Sequence, residues 1–561
     1  MNKLGSEHQG GRGLKCKAAI LFRYPSRRQK MDILFKEGSD KKTIQIQPET
    51  MKDLAMDEII TRMSSVPDER TILRDLMGKL PVNVEDIRFR QSILRDLLDS
   101  SELRESLYDA LSMIKTMKDF ASVRRASSDN DKALYTLLSD LRSLSSYVET
   151  TSYIYEKLSA CEIKSEGLIR LRDDLQKITS TQEFADAGED IKKMLEDLST
   201  VRSAVVGVNF TPDLTISEIS AIEFLPYPTR SKYKFADIAA KIGMISAAGQ
   251  AAQKIGAAQM QAAKQRDPLM ASMAPSIEKH LKRHFDSIKQ ILSRYTRLDT
   301  HFITEMYEGF TFYLVSAQFA EKLKSQGYEI CIPQIEETED RTIDIRDVYN
   351  IRLALLGTKD IVKNDFLFSD KERLFILTGP NRGGKTILEQ GIGIVSLMAS
   401  LGLFVTASSF RGIPFKNILS HFPIDENFTL NYGRLGEEAK RVKEIVGATN
   451  QDTLILFNET YSTTSAVDGL YLSRDLLHIL KEKGASVIFN THIHELARQL
   501  SEMNEWEGKS DVVSLVMEIR DNVNTFKVKR SSPDSSSYAK NIAQKYGITY
   551  EQMKGSPSIS L

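Results

Sequence analysis

The segment from Leu377 to Thr386 constrains this chain of 561 residues more than any other part. It reads LTGPNRGGKT and contains a complete GxxxxGK[ST] pattern. The apolar stretch Leu374 to Leu377 leads into it, and an apolar segment with helical character, Ile387 to Met398, follows it. A strand, a glycine-rich loop and a helix in this order are typical of a nucleotide site. The alternative, a strand–helix turn that binds no nucleotide, agrees less well with the flanking pattern.

The residue types of this loop match the chemistry of phosphate binding. Glycines allow consecutive backbone N–H groups to approach phosphate oxygens, and the helix N-terminus adds positive potential. Lys385 supplies a charge for the β- and γ-phosphate oxygens, and the Thr386 hydroxyl is a ligand for Mg²⁺. We therefore expect a nucleotide and Mg²⁺, bound by Gly379, Pro380, Asn381, Arg382, Gly383, Gly384, Lys385 and Thr386.

Length, charge and cysteine content narrow the class of protein. A chain of 561 residues is too long for one core, and three to four domains is the ordinary expectation. Lys and Arg number 76 and so do Asp and Glu, so any contact with nucleic acid must use a local basic face. Cys16, Cys161 and Cys331 lack metal-ligand spacing and indicate reduced thiols in a cytoplasmic protein. No apolar run approaches the roughly 18 residues that span a bilayer, so we expect no membrane association.

The first 30 residues are strongly basic. Eight of them are Lys or Arg, and Glu7 is the single acidic residue. No long apolar core follows, which excludes a secretory signal. We expect a basic, disordered tail over residues 1–47, or translation from an upstream start with Met31 as the working start. A nucleic-acid-binding arm and an organelle transit peptide are the alternatives.

The next part of the chain has helical periodicity. Apolar residues recur at spacings of three and four between residues 49 and 198 and again between 276 and 323. Two short β-prone stretches interrupt the pattern, Ala204 to Phe210 and Leu214 to Ile222, and predict a strand pair. Residues 236–275 are rich in alanine and predict either a surface helix or a helical hinge. We assign residues 48–335 to a helical core and lever domain.

From about residue 341 onward, apolar strands alternate with helices, which predicts an α/β domain with a mainly parallel sheet. Its strands include Leu374–Leu377, Thr453–Phe457 and Ser486–Phe489. A late hairpin is expected to pair Val513–Ile519 with Asn524–Lys529. We assign residues 336–553 to this domain and 554–561 to a C-terminal tail.

Two further strand ends carry residues suited to hydrolysis. Asn458 and Glu459 follow the strand that ends at Phe457, and Glu459 is placed to activate or orient the water that attacks the γ-phosphate. Asn458 stands where an Asp would help to hold Mg²⁺; it keeps the oxygen ligand and loses the charge. His492 follows the next strand and could contact the γ-phosphate, whereas His494 is interpreted as structural.

These motifs together resemble the MutS family of mismatch-repair ATPases. Residues 378–386, TGPNRGGKT, resemble the family's TGPNMGGKST, and residues 402–407, GLFVTA, resemble its GSFVPA. The pair Asn364-Asp365 is similar to the "ND" that leads to the loop, and Thr491-His492 matches its "TH". Asn458-Glu459 with Thr464, Ser465 and Asp468 is similar to the DE…TST.DG stretch, and the segment from Ser537 to Ile548 to the SYG helix.

The resemblance implies a multidomain fold with an all-α core and lever region followed by an α/β P-loop (ABC-type) ATPase domain. It also implies ATP and Mg²⁺ as cofactors, DNA as a partner, and a homodimer in which each subunit completes the other's site. Thr464, Ser465 and Asp468 would then lie near the subunit interface and the opposite nucleotide. The specific part of the match covers about residues 341–550.

Several departures from the family pattern qualify this expectation. Because helical pattern begins near residue 50, we expect the mismatch-reading and connector domains to be missing. Phe35-Lys36-Glu37 imitates the Phe-x-Glu mismatch wedge and is interpreted as a coincidence. The segment from Gly433 to Glu438 lacks the hydroxyls of the family's signature loop. Together with Asn458, this segment predicts an altered rate of ATP hydrolysis.

Two functions agree with these observations. The first is a MutS-like ATPase that dimerises around ATP and acts on DNA structure through cations such as Lys279, Lys282 and Arg283, without reading mismatches. The second is a nucleotide-gated interaction protein that binds ATP with little hydrolysis, which Asn458 favours. A transporter motor is disfavoured because the chain lacks an LSGGQ signature.

Overall fold

The computed structural model describes residues 32–126, 132–213, 216–228, 282–296, 298, 300–336, 341–423, 434–521, 523–532, 547 and 549–554. Several predictions fall outside these residues. They concern residues 1–31 of the basic tail, the alanine-rich segment 236–275, Lys279, Gly433, the segment that begins at Ser537, and residues 555–561.

Helices make up most of the described chain before residue 330 and alternate with strands after it. They are α1 (Pro48–Asp53), α2 (Met56–Met63), α3 (Pro67–Met77), α4 (Val84–Asp99), α5 (Ser101–Ala126), α6 (Lys132–Ala160), α7 (Glu166–Thr179), α8 (Gln182–Ser199), α9 (Lys282–Arg294), α10 (Thr300–Ser325), α11 (Ile351–Leu355), α12 (Lys385–Ser400), α13 (Arg434–Gly447), α14 (Ala466–Glu482), α15 (His494–Arg498), α16 (Leu500–Asn504) and α17 (Tyr550–Lys554). No helix among the described residues combines the length and the apolar character that crossing a bilayer requires.

The strands of the described residues form four separate sheets. They are β1 (Thr43–Gln45), β2 (Lys79–Pro81), β3 (Ser203–Phe210), β4 (Ile216–Leu225), β5 (Ile343–Val348), β6 (Asn364–Phe368), β7 (Glu372–Thr378), β8 (Ser409–Arg411), β9 (Asn417–His421), β10 (Thr453–Asn458), β11 (Ser486–Asn490), β12 (Asp511–Arg520) and β13 (Val523–Arg530). The largest sheet has the order β13-β12-β7-β11-β10-β9. A second sheet has the order β6-β5-β8, and the pairs β1-β2 and β3-β4 form the others.

The contacts divide the chain into two compact units. The helical unit contains residues 112–155 and 174–305, and the sheet unit contains residues 32–111, 156–173 and 306–561, each with the gaps given above. The sheet unit therefore includes helices α1 to α4. This grouping differs from the sequential domains expected at residues 48–335 and 336–553, because α1 to α4 make their contacts with the unit that holds the sheet.

The helical unit is held together by apolar faces of its helices. Tyr147 of α6 and Phe184 of α8 pack edge to face, with their ring centroids 6.1 Å apart. Asp190 of α8 accepts hydrogen bonds from Arg294 Nη1 at 2.5 Å and from the Tyr295 hydroxyl at 2.6 Å, which fixes α9 beside α8. The antiparallel pair β3-β4 confirms the strand pair predicted near residues 204–222.

The main sheet of the sheet unit is parallel from β9 to β12, and β13 runs antiparallel at its edge. This confirms the mainly parallel sheet and the late hairpin. Strand β10 is buried along its whole length, as expected for a parallel strand covered on both faces. Ile455 and Phe457 belong to an apolar cluster with α13 and α14. On the opposite face, a Cβ added to Gly393 of α12 would come within 2.5 Å of Leu456 Cδ1, so the helix packs closely against β10.

The prediction of a disordered tail is wrong for residues 32–47. Strand β1 pairs with β2, and Asp86 of α4 accepts a hydrogen bond from the backbone N–H of Lys36 at 2.9 Å. The buried Arg90 guanidinium donates to the Leu34 carbonyl at 2.9 Å and lies 5.1 Å from the centroid of the Phe35 ring. Composition suggested disorder, whereas these long-range contacts with α4 give the segment a defined structure. In the structure, Phe35 packs against Arg90.

Candidate functional site

Three parallel strands bring the predicted site residues to one edge of the sheet. Asn458 at the end of β10 pairs in register with Asn490 at the end of β11, and Asn490 pairs with Leu377 of β7. The carboxyl ends of parallel strands in an open α/β sheet form the crevice where ligands bind. Residues 379–386, which follow β7, therefore lie beside Asn458 and Asn490 in the sheet.

The loop from Gly379 to Lys385 has a backbone that only certain residues adopt readily. Gly379 has φ 139°, Arg382 has φ 63° and Gly384 has φ 93°. A Cβ at Gly379 would lie 2.9 Å from Met517 Cβ, so the glycine is needed for space as well as for conformation. Gly384 immediately precedes α12, and Lys385 is the first helical residue. The loop thus ends at a helix N-terminus, where free N–H groups and the helix dipole favour an anion.

Lys385 lies over the loop that precedes it. Its Nζ donates to the carbonyl oxygens of Gly379 at 3.1 Å and Pro380 at 3.3 Å. The side chain is buried, and burial lowers the pKa of its ammonium group. An ammonium with only carbonyl partners in a buried position is well suited to a phosphate, because the anion would restore the solvation lost on burial.

The two residues predicted to bind the metal ion are in contact. Thr386 Oγ1 donates to Asn458 Oδ1 at 3.1 Å, which joins the first turn of α12 to the end of β10. Hydroxyl and amide oxygens are the hard, neutral ligands that Mg²⁺ accepts alongside phosphate oxygens and water. Across the described residues, no group of three or more His, Cys, Asp or Glu could hold a metal by itself. The donor set is therefore suited to a metal that arrives with a nucleotide.

Glu459 and His492 face each other across the ends of β10 and β11. His492 Nε2 lies 2.8 Å from Glu459 Oε1, and the backbone N–H of Glu459 donates to the Asn490 carbonyl at 2.8 Å. Glu459 has φ 53°, a left-handed conformation that costs free energy in a residue other than glycine. Both side chains are about one-third exposed, so water can reach the carboxylate.

A pocket of about 430 Å³ opens beside the loop. The residues that line it include the loop from Pro380 to Thr386, Glu459, and the apolar side chains of Leu353, Ile361, Val362 and Phe526. This volume and this mixture of polar and apolar lining residues suit a nucleotide. The ring of Phe526 also closes over Gly384, where an added Cβ would lie 3.1 Å from its Cδ1.

The predicted Asn364-Asp365 pair fixes the position of Phe526. Asn364 Nδ2 donates to the Phe526 carbonyl at 3.1 Å, and Asn364 Oδ1 accepts from the Val528 N–H at 2.8 Å. Asp365 Oδ1 accepts from the Asp347 N–H at 2.9 Å, at a residue with φ 53°. Asn364 thereby joins β6 to β13. Strand β13 carries Phe526, the aromatic residue that lines the pocket.

Thr464, Ser465 and Asp468 lie at the start of α14, apart from the cluster around Lys385. Ser465 caps the helix, because its Oγ accepts from the Asp468 N–H at 3.1 Å and donates to Asp468 Oδ2 at 2.6 Å. Ser465 and Asp468 are exposed. Val467 and Tyr471 on the same helix are also exposed, at 77% and 65%.

Residues Arg434 to Glu438, which stand in place of the signature loop, form the start of α13, and this helix is anchored at Arg441. Arg441 Nη2 lies 2.8 Å from Asp53 Oδ2, with both side chains largely buried. The same carboxylate oxygen accepts from Ser420 Oγ at 2.7 Å. The next residue, His421, has its Nδ1 2.9 Å from Thr460 Oγ1, and Thr460 directly follows Glu459. These contacts connect α1, α13 and β9 to the loop that holds Glu459.

Sequence reasoning missed Asn490, His421 and Glu389. Asn490 donates from Nδ2 to Asn458 Oδ1 at 2.6 Å and therefore orients a predicted metal ligand. Its place at a strand end, directly before Thr491-His492, was the available signal. Glu389 is a single acidic residue in an apolar helix, which was a second signal. Nothing local marked His421.

Comparison with known proteins adds independent information. Residues 375–559 match the family model described as MutS domain V, and residues 82–218 match the model described as MutS2 N-terminal domain. Endonuclease MutS2 of Shouchella clausii (strain KSM-K16) is 30% identical over 151 residues, which are 27% of this chain and 19% of that protein. Endonuclease MutS2 of Lactobacillus helveticus (strain DPC 4571) is 26% identical over 226 residues, 39% of this chain and 26% of that protein.

A relative with a different name matches to a similar extent. The DNA mismatch repair protein MutS of Chlorobium phaeobacteroides (strain DSM 266 / SMG 266 / 2430) is 28% identical over 244 residues, 43% of this chain and 26% of that protein. The matched segments of these three relatives thus span 19% to 26% of their length.

Proposed function

The chain is a member of the MutS family, and from this premise we propose that it is a DNA-binding ATPase. In the proposed function, the chain dimerises with ATP and acts on DNA structure without reading mismatches. The observation that carries the ATPase part is the cluster at the sheet edge. It combines Lys385 over the loop, the Thr386–Asn458 contact and the Glu459–His492 pair.

Each residue of the cluster has a separate role in the proposed reaction. The backbone N–H groups of residues 379–386 and the Lys385 ammonium bind and neutralise the phosphates. Glu459 accepts a hydrogen bond from the attacking water and aligns it with the γ-phosphate. His492 holds the Glu459 carboxylate in position. In the proposed reaction, its imidazole also contacts the γ-phosphate when the nucleotide is bound.

Mg²⁺ would be held by Thr386 and Asn458. When bound, it would supply positive charge that offsets the negative charge of the phosphates. The Asn458 amide oxygen accepts hydrogen bonds from both Asn490 Nδ2 and the Thr386 hydroxyl, so the bond from Thr386 has to give way for that oxygen to bind the metal. A neutral amide binds Mg²⁺ more weakly than a carboxylate does, so the proposal includes a lower metal affinity at this position.

The start of α14 supports the proposed homodimer. Val467 and Tyr471 are large apolar side chains that are 77% and 65% exposed, and they lie one helical turn apart. Exposed apolar residues flanked by polar ones are typical of protein interfaces. We propose that this surface contacts a second copy and that Thr464, Ser465 and Asp468 approach the nucleotide of that copy.

The proposed contact with DNA uses the exposed face of α9. Lys282 and Arg283 are exposed, whereas Phe285 and Ile288 of the same helix are buried. Lysine and arginine on one helix face can bind phosphates without reading bases. A cytoplasmic location is part of the proposal, and it rests on Cys161 and Cys331, which are free thiols in the described chain.

Steady-state ATP hydrolysis by the wild type, Glu459→Gln and Lys385→Ala tests the ATPase proposal. We expect the wild type to hydrolyse ATP, Glu459→Gln to bind ATP and hydrolyse it at least about 100-fold more slowly, and Lys385→Ala to lose binding. If Lys385→Ala retains the nucleotide as tightly as the wild type, the proposed site is wrong.

A nucleotide-gated interaction protein is the second candidate, and Asn458 is the observation that favours it. In that case the wild type binds ATP, and its hydrolysis rate equals that of Glu459→Gln. The same assay therefore separates the two candidates.

Binding to homoduplex, mismatched, four-way-junction and single-stranded DNA tests the DNA proposal. Each should be measured with and without ATP at two salt concentrations, because phosphate-driven binding weakens steeply as salt rises. We expect the junction to bind more tightly than the homoduplex and a mismatch to add nothing. Equal weak binding to all four DNAs would contradict the proposal.

A further inference from the structure

Glu389 is a buried carboxylate without a complete set of partners. It lies one helical turn after Lys385 on α12 and has 0% of its surface exposed. Asn490 Nδ2 donates to its Oε2 at 3.1 Å, whereas Oε1 is buried and has no hydrogen-bond partner among the described residues. Burial raises the pKa of this carboxyl well above its usual range. A buried, half-satisfied carboxyl is costly for a fold, and such groups concentrate at functional sites.

The position of Glu389 connects it to the proposed metal ligands. The Asn490 Nδ2 that donates to Glu389 also lies 2.6 Å from Asn458 Oδ1 and 3.4 Å from Thr386 Oγ1. One amide group therefore contacts the carboxylate and both ligands. Burial lowers the pKa of Lys385, and the charge of Glu389 opposes this shift; burial raises the pKa of Glu389, and the charge of Glu459 adds to that shift. Glu389 therefore interacts electrostatically with the proposed catalytic cluster.

Neither residue at the end of β10 supplies a free acidic ligand for Mg²⁺. Asn458 is neutral, and Glu459 is turned toward His492. Glu389 is the acidic side chain joined to Asn458 through Asn490. Because a divalent cation favours the ionised form of a nearby carboxyl, the raised pKa does not prevent Glu389 from carrying charge when the metal is present.

We propose that Glu389 is the carboxylate of the magnesium site and replaces, from helix α12, the charge that is missing at Asn458. The inference rests on the proposed function, because it concerns the same nucleotide site. Asn490 is the positioning residue of this arrangement, since it holds Glu389 and Asn458 on one amide group. Oε1 of Glu389 is the free acceptor for the metal or for a water molecule bound to it. Partners of this kind orient metal ligands and tune metal affinity.

The test is the affinity of the full chain for Mn²⁺ in the presence of a non-hydrolysable ATP analogue. Electron paramagnetic resonance measures the bound and free Mn²⁺. Glu389→Gln keeps the size of the side chain and an oxygen acceptor for Asn490, and removes the charge. We expect it to bind Mn²⁺ roughly tenfold or more weakly, as loss of such partners does elsewhere. Binding of the analogue in EDTA should remain unchanged, because the loop and Lys385 are untouched.

A rescue variant keeps the inference testable if Glu389→Gln does not fold. Asn458→Asp combined with Glu389→Leu restores an acid at the strand end and fills the buried helix position with an apolar group of similar size. We expect its Mn²⁺ affinity to lie within about threefold of the wild type, whereas Glu389→Leu alone should lose roughly tenfold or more.

The outcomes separate this inference from the function on which it rests. Unchanged Mn²⁺ affinity in both Glu389→Gln and Glu389→Leu, in a protein that binds the analogue, overturns the role of Glu389 and leaves the nucleotide site intact. A wild type that binds neither the analogue nor Mn²⁺ overturns the proposed function itself.

Discussion

His492 Nε2 lies 2.8 Å from Glu459 Oε1, and this contact joins the ends of two neighbouring parallel strands. The backbone of Glu459 has a left-handed conformation with φ 53°, and its side chain contacts the His492 imidazole. Two contacts therefore position the carboxylate. One is the backbone hydrogen bond from the Glu459 N–H to the Asn490 carbonyl, and the other is the contact with the His492 side chain. In the proposed function, a carboxylate held in this way would need little reorganisation before it acts on water.

Replacing His492 should reduce hydrolysis without abolishing ATP binding. In His492→Ala, Glu459 loses its contact at 2.8 Å, whereas the phosphate-binding loop is unchanged. We expect the hydrolysis rate to fall by roughly 10- to 100-fold, which steady-state turnover and equilibrium nucleotide binding would measure together. His494→Ala is the matched control, since His494 is exposed two residues later and should leave the rate unchanged. Equal losses in the two variants would contradict the role of His492.

Gly379→Ala should impair both stability and nucleotide binding. Gly379 has φ 139°, and an added Cβ would lie 2.9 Å from Met517 Cβ. We expect a loss of about 1–3 kcal/mol in the free energy of unfolding, measured by denaturant titration, together with weaker ATP binding. Gly447→Ala at the end of α13 is the control, because among the described residues no atom beyond its chain neighbours and its own helix backbone lies within 4 Å of the added Cβ. It should be neutral or stabilise by up to about 1 kcal/mol.

Arg441→Met should destabilise the sheet unit strongly. Arg441 and Asp53 form an ion pair at 2.8 Å with side chains only 14% and 10% exposed. Removal of one partner leaves Asp53 buried without its cation, and we expect a cost of about 3–5 kcal/mol in chemical unfolding. Arg498→Met breaks the exposed pair with Glu495 and should cost less than about 1 kcal/mol. A small effect for Arg441→Met would show that Ser420 and the backbone N–H of Phe422 are sufficient partners for Asp53.

His421 should make stability depend on pH in a defined range. Burial, reinforced by the charge of Arg441, lowers the pKa of His421 from 6.5 to about 4. Between these values the unfolded chain binds a proton that the folded chain does not, so stability falls as the pH decreases from 6.5 toward 4. Relative to His421→Gln, which does not titrate, the wild type should lose about 2 kcal/mol between pH 7 and pH 5. If the free energy of unfolding depends on pH in the same way in both proteins, the predicted role of His421 is wrong.

Local pattern was sufficient for the phosphate-binding loop and the strands around it. The strand predicted at Thr453–Phe457 is observed at Thr453–Asn458, and the one at Ser486–Phe489 is observed at Ser486–Asn490. Continuous apolar runs that end in polar residues are typical of buried parallel strands, so their ends could be located within one residue.

Contacts between distant residues could not be predicted in this way. Asp53 and Arg441 are 388 positions apart, and Leu34 and Arg90 are 56 apart. Neither pair carries a local periodic signal, and an isolated charge on a helix is ordinarily a surface residue. For the same reason, residues 32–47 were expected to be disordered, although they pair with β2 and bind to α4.

The order and identity of residues alone thus determined the chemistry available at the sheet edge: the glycines, Lys385, Thr386, Asn458, Glu459 and His492. Tertiary structure alone decided which groups share that edge, because strand pairing places Asn490 between Asn458 and the buried Glu389. The physical reason is that the spacing of apolar residues in the sequence shows which side of a helix or strand is apolar. The partner of a buried polar group depends instead on how the helices and strands pack together.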